Sequence, residues 1–290
     1  MSGLSSHPET PPAKSTGVSR RAARLHFALA GGRTALLHQH VPYPFHITRP
    51  FHLQPARADL ATLYLQSASG GMYAGDDLSV TLHVAQGAAA HVTTQSATIV
   101  HECRDAPTRL TTVATVEPDG FLALTPDPLV LFPGADVATV TELTLHEGAR
   151  ALIADAASLH DPLAEDRPFR RFHGTVCVRD GAGVIRLSDR GGIDGAALSG
   201  AGVLGSWRAW GTLLVLGPAA LLPDPAALEA AAEAVGCLAG ASAASHGLGL
   251  ALRLLGPDGG TLGRCLSALA ADAALSLAGC RLVSRGKEFS

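Results

Sequence analysis

Charge is scarce in this chain. Asp, Glu, Lys and Arg make up 16% of its 290 residues, where ordinary globular domains carry about 25%. The formal net charge is -3 and no block of Lys or Arg occurs, which excludes the basic stripe of a nucleic-acid binder. Aromatic residues are 4% of the chain, so aliphatic and small residues carry a hydrophobic fraction of 47%. That fraction is too high for a disordered chain. No run of about 18 apolar residues is free of charges or breakers, so no membrane-spanning helix is predicted. Cysteine is sparse and odd in number: Cys103, Cys177, Cys237, Cys265 and Cys280 form no CxxC pair. With no apolar leader ahead of them, they predict reduced thiols in a cytoplasm. Catalytic signatures are missing too. There is no GxSxG elbow, no Walker lysine loop and no HExxH. Gly200, Gly202 and Gly205 match GxGxxG, but no strand leads into them and no helix opens from them, which predicts a loop. Ser245-His246 lacks an oriented acid, so a hydrolase pair is not predicted.

Gly and Pro are plentiful, at 32 and 18 residues, and they punctuate strand after strand from about Leu25 to Leu187. In 77–84, Leu78, Val80, Leu82 and Val84 alternate with polar residues, placing one face in a core. Strands follow at 90–94, 110–116, 121–125, 129–132, 139–146, 151–155, 172–178 and 184–187, with 180–183 a hairpin turn. The class is mainly β, as a sandwich, barrel or solenoid, and periodicity does not choose among them. No fixed repeat length appears. The last third adds helices: Asp224 caps one, with Pro225 at its first position, running to about Val235. Thr261 is expected to cap a second, with Leu262, Leu266, Leu269 and Ala273 on one face. Residues 1–18 read as a mobile tail and 19–290 as one β-rich domain whose helices begin near 224.

Residues with chemistry cluster in a few places. Gly70, Gly71 and Gly75 imply positive φ or close backbone approach before Asp76. Asp76 either bonds its own turn or presents a carboxylate among strand ends. Thr93, Thr94 and Gln95 either satisfy buried polar groups or line a wet passage. His101 and Cys103, two apart, form a candidate ligand pair for nickel, copper or zinc. His38 and His40 share a strand face in the same way.

Taken in order, these segments resemble the urease accessory protein family called UreD or UreH. The family pattern is a GG-x3-GD-x-L turn, an alternating strand, a Gly-Ala turn and TTQ-(S/A)-A. Here it reads Gly70-Gly71, Gly75-Asp76, Leu78, Gly87-Ala88 and Thr93-Thr94-Gln95-Ser96-Ala97. Pro126-Asp127-Pro128 leading to Phe132, Gly134 and Ala135 extends the match, which covers about 50–155. The chain departs from the pattern at His101-Glu102, at Asp166-Arg167 and at His173-Gly174. The resemblance implies stacked, β-helix-like sheets with C-terminal helices and no enzymatic activity. It implies a nickel-delivery scaffold that docks on apo-urease with a UreF-type protein and a UreG-type GTPase, without nucleic acid or membrane. Under it, Gly70, Gly71, Gly75, Asp76, Thr93, Thr94 and Gln95 would line or shape a passage for Ni²⁺, with Asp76 a transient ligand and no cofactor held tightly. A β-rich interaction module without a metal role is the alternative, and apo-urease pull-down separates the two.

Overall fold

The computed structural model describes residues 21–283; the tail expected at 1–18 lies outside them. A hairpin comes first, β1 (Arg21–Ala30) and β2 (Arg33–His40), followed by β3 (Phe45–Ile47) and β4 (Ala61–Ser67). Then come β5 (Asp77–Val84), β6 (Ala89–Thr94) and a two-residue β7 (Ile99–Val100). The next circuit is β8 (Thr108–Val116), β9 (Phe121–Thr125) and β10 (Leu129–Leu131), and after it β11 (Asp136–Leu145) and β12 (Arg150–Leu159). β13 (Arg171–Asp180) turns at the expected hairpin into β14 (Ile185–Asp194). The chain closes with β15 (Ala209–Leu216), α1 (Pro225–Ala234), β16 (Leu238–Ala243), β17 (Gly249–Gly256) and α2 (Gly259–Ala278).

The strands form two stacked, solenoid-like sheets. The first runs β14-β13-β11-β8-β5-β1-β2, and the second β16-β17-β15-β12-β9-β6-β4-β3, with β7 and β10 pairing beside it. β5, β8, β11 and β13 are parallel neighbours, as are β4, β6, β9 and β12. Each circuit therefore adds one strand to each sheet. Asp77 stands beside Arg109, Arg109 beside Ala138 and Ala138 beside His173, so circuits take 32, 29 and 35 residues. Because the corners differ in length while the strands stay in register, no constant period shows in the sequence.

Burial explains the two kinds of strand. The first sheet has one solvated face, so β5 alternates, with Leu82 and Val84 buried and Thr81 and His83 outward. The second sheet is covered on both faces. Leu82, Val84, Leu143 and Val178 pack against its inner face. Leu262, Leu266, Leu269, Ala273 and Leu228 of the helices pack on its outer face with Leu152, Leu213 and Val215. Its strand β15 is accordingly apolar at every position but Thr212 and buried at nearly every one. The stretch Gly259–Ala278 is long and apolar enough, by length and composition alone, to span a bilayer. Here its apolar face is buried in this core.

The helix starts differ in how well sequence predicts them. Asp224 caps α1 as expected, accepting from the Ala226 amide at 3.1 Å. The cap of α2 is Asp258 and not Thr261. Asp258 accepts from the Thr261 amide at 2.7 Å and from its hydroxyl at 2.8 Å, so Thr261 lies inside the first turn as the capped residue. These bonds also hold the Asp258 carboxyl below its ordinary range. Asp258→Ala is expected to lower stability by about 1 kcal/mol, read as a shifted urea midpoint with unchanged slope.

Candidate functional site

The first sheet's inward positions form rows across the stack. Leu82, Ala114, Leu143 and Val178 are register neighbours and pack solidly. The adjacent row is Val80, Thr112, Thr141 and Val176, and the next is Leu78, Leu110, Thr139 and Gly174. In these two rows threonine and glycine stand where leucine or valine would fill the space. A cavity of about 580 Å³ opens there, with Leu124, Ala154, Asp155 and Ala156 as its opposite wall.

Asp155 is the charged group deepest in this wall. It sits mid-strand in β12, where alternation turns its side chain inward. Thr139 donates its hydroxyl to Asp155 Oδ2 at 3.0 Å. Burial raises the carboxyl to about 6, against the opposing pull of that hydrogen bond. Its accessible surface faces the cavity. Gly174 makes room for it, since a Cβ at 174 would lie 2.8 Å from Oδ2. A polar row continues from Asp155 along the second sheet. Thr212 is its register partner, and Arg253 donates to the Thr212 hydroxyl at 2.6 Å. Arg253 also bridges to Asp189 of the first sheet.

At the other side, Thr94 and Asp127 close on each other. The Asp127 amide donates to Thr94 Oγ1 at 2.9 Å, and that hydroxyl donates to Asp127 Oδ2 at 3.2 Å. Gln95, Ala97 and Asp127 belong both to the cavity wall and to a surface depression rimmed by His160, Asp258 and Arg264. These shared residues mark a mouth. His46 Nδ1 and Gln66 Oε1 are 2.7 Å apart, and Gln66 Nε2 donates to Gln95 Oε1, a polar belt along the same wall.

Of the residues singled out from sequence, Gly70, Gly71, Thr94 and Gln95 line the cavity. Gly71 has φ +145° and its missing Cβ would meet the Ile99 carbonyl at 2.6 Å, so only glycine fits. Gly75, Asp76 and Thr93 stand elsewhere. Asp76 accepts from the Tyr73 amide at 2.8 Å, and its own carbonyl accepts from the Arg109 amide at 2.8 Å. It thereby fastens the glycine turn to β8. Thr93 donates to the Thr125 carbonyl at 2.7 Å and pins β6 to β9.

The structure separates the other candidate ligands. His101 stacks on Tyr73 with centroids 4.4 Å apart. Cys103 is buried, donates to the His101 carbonyl at 3.3 Å, and has its thiol raised by burial. His38 and His40 lie exposed at the end of β2. Among the described residues, no three His, Cys, Asp or Glu groups stand in position to hold a metal ion. At the divergent segment, Arg167 clamps Asp161 at 2.6 Å and drives that carboxyl far below its usual range. Gly174, in the same segment, is the floor beneath Asp155.

Sequence reading passed over Asp155, Thr112, Thr139 and Thr141. The signal was available: these polar residues occupy inward positions that Leu, Val and Ala fill elsewhere along the same strands.

Comparison with known proteins follows the same span. The sequence profile of the family described as UreD urease accessory protein matches residues 19–284. A "Urease accessory protein UreD 1" of Methylorubrum extorquens (strain PA1) is 47% identical over 287 residues, covering 97% of this chain and 96% of the relative. A "Urease accessory protein UreD 3" of Bradyrhizobium sp. (strain ORS 278) is 46% identical over 89% of this chain and 91% of its own length. A "Urease accessory protein UreD 1" of Pseudomonas syringae pv. syringae (strain B728a) is 31% identical over 88% and 90%.

Proposed function

Since the chain belongs to the UreD family of urease accessory proteins, with a role in urease maturation, we propose that it is a non-catalytic cytoplasmic factor that hands nickel to apo-urease. In this reading it docks on apo-urease together with a UreF-type protein and a UreG-type GTPase. Ni²⁺ is cargo, held transiently and never as a resident cofactor. The observation that carries the reading is the cavity between the sheets, with a carboxylate and hydroxyls on its walls and a mouth at Gln95 and Asp127.

The chemistry of that lining suits transit. A moving cation needs partners that replace its water and then release it. Oxygen donors at Thr94, Asp127, Thr139 and Asp155 offer this, whereas a cage of imidazoles and thiolates holds nickel more tightly. Apolar wall residues such as Leu124 and Leu110 keep the route narrow without adding ligands.

Co-expression with a UreF-type protein tests the partner assignment. The two chains should co-elute on size exclusion and together retain apo-urease. Removing this chain should leave urease assembled but poor in nickel. Separate elution of all three components, or full nickel content without this chain, would overturn the proposal.

A further inference from the structure

On the outer, solvated face of the first sheet, three histidines stand side by side on three neighbouring strands. His26 of β1 is the register partner of His38 on β2 and of His83 on β5. The His26 and His83 rings meet edge to face with centroids 4.6 Å apart, and His26 stacks on His38 at 5.6 Å. Together with Arg24, Gln39, His40 and Thr81 they border a shallow depression of about 510 Å³. Beyond His83, whose register partner on β8 is Thr115, the Glu117 carboxylate lies 4.0 Å from His83 Nε2 and 3.9 Å from His146 Nε2.

We infer that this imidazole row is a surface site for a borderline divalent transition-metal ion of the nickel, zinc or copper kind. The rings now touch one another, and their nitrogens do not converge on one point, in keeping with the absence of a ready three-ligand group. Convergence needs rotation of the side chains on their paired strands, exposed at His38 and half-buried at His26 and His83. Neighbouring strand positions hold Cβ atoms about 5 Å apart, and two imidazoles bound to one ion at about 2.0 Å leave their rings at the spacing seen here. Imidazole is the donor such ions prefer.

The site lies on the opposite side of the first sheet from the cavity, so it does not depend on the transit proposal. Isothermal titration of the full, untagged chain with NiCl₂ at pH 7.5 is the test. One ion per chain is expected, with affinity falling at least about tenfold in each of His26→Gln and His83→Gln and unchanged in His246→Gln, an exposed histidine outside both the row and the cavity. In NMR spectra, substoichiometric Ni²⁺ should broaden the imidazole C–H signals of His26, His38 and His83 first. An unchanged isotherm in the triple His→Gln variant, or uniform broadening of all histidines, would refute the site. Loss of binding in Asp155→Asn would instead place the ion in the cavity and refute it equally.

Discussion

Asp155→Asn is expected to make the protein more stable at neutral pH and less able to deliver nickel. The stability half follows from the carboxyl's environment. In the folded chain its pKa is raised to about 6 from 3.8, so the native state holds the proton more tightly than the unfolded chain does. Stability from this group is complete below pH 3.8 and is lost as pH rises through about 6. By linkage, the charged carboxylate then costs about 3 kcal/mol at pH 7.5, an upper figure because the cavity side of Asp155 is accessible. Asn keeps the shape and still accepts the Thr139 hydroxyl, yet carries no charge to bury. Urea melts at pH 8 should show the variant more stable by one to a few kcal/mol, with the gain vanishing near pH 4. A variant equally stable at both pH values would show that Asp155 is not buried in charged form.

The functional half runs in the opposite direction. A buried carboxyl with a raised pKa on the wall of a cavity is a candidate for a functional charge. Without it the cavity wall offers only neutral oxygens near Thr139, and urease matured with the variant should contain less nickel when nickel is limiting. Full loading, at a nickel concentration that distinguishes wild type from a chain-free control, would remove Asp155 from the transfer route.

Much of the fold was legible in the sequence, and the reason is burial geometry. β5 announced its inward face because its outer face meets water, and Asp224-Pro225 announced α1 because cap chemistry is local. The solenoid arrangement was not decided by composition or periodicity, since circuits of 32, 29 and 35 residues share no period; the family resemblance pointed to it. The α2 cap was misplaced because Asp258 and Thr261 both have cap side chains, and Gly259-Gly260 reads locally as loop. The site was harder still. The glycine turn and Thr93-Thr94-Gln95 were noticed as clusters along the chain. The cavity, however, is built from residues far apart in the chain: Thr112 and Thr141 become neighbours only when β8 pairs β11, and Asp155 joins them only once the second sheet faces the first. Gly174 illustrates the limit. In sequence it looked like a lost family position; in space its missing side chain is what admits the carboxylate.

Filling the cavity from Thr112 gives the sharpest test of transit. Thr112 lies in the middle of the first sheet, between Val80 and Thr141, on the cavity wall. Thr112→Trp introduces a large indole into a space of about 580 Å³, so the cavity can take it without the full overpacking penalty of about 1–3 kcal/mol. The outer faces of both sheets are untouched, and complexes with partner proteins should elute as before. Delivery should nonetheless fall to the level seen without the chain, because an indole narrows the bore and offers no oxygen. Thr112→Val separates bore from ligand: it keeps the volume and removes one hydroxyl, so delivery should fall only partly. Nickel content of urease purified from cells expressing each variant measures both effects. If Thr112→Trp delivers nickel at the wild-type rate while remaining folded, the cavity is not the route. The chain's contribution to maturation would then rest on its docking surfaces alone.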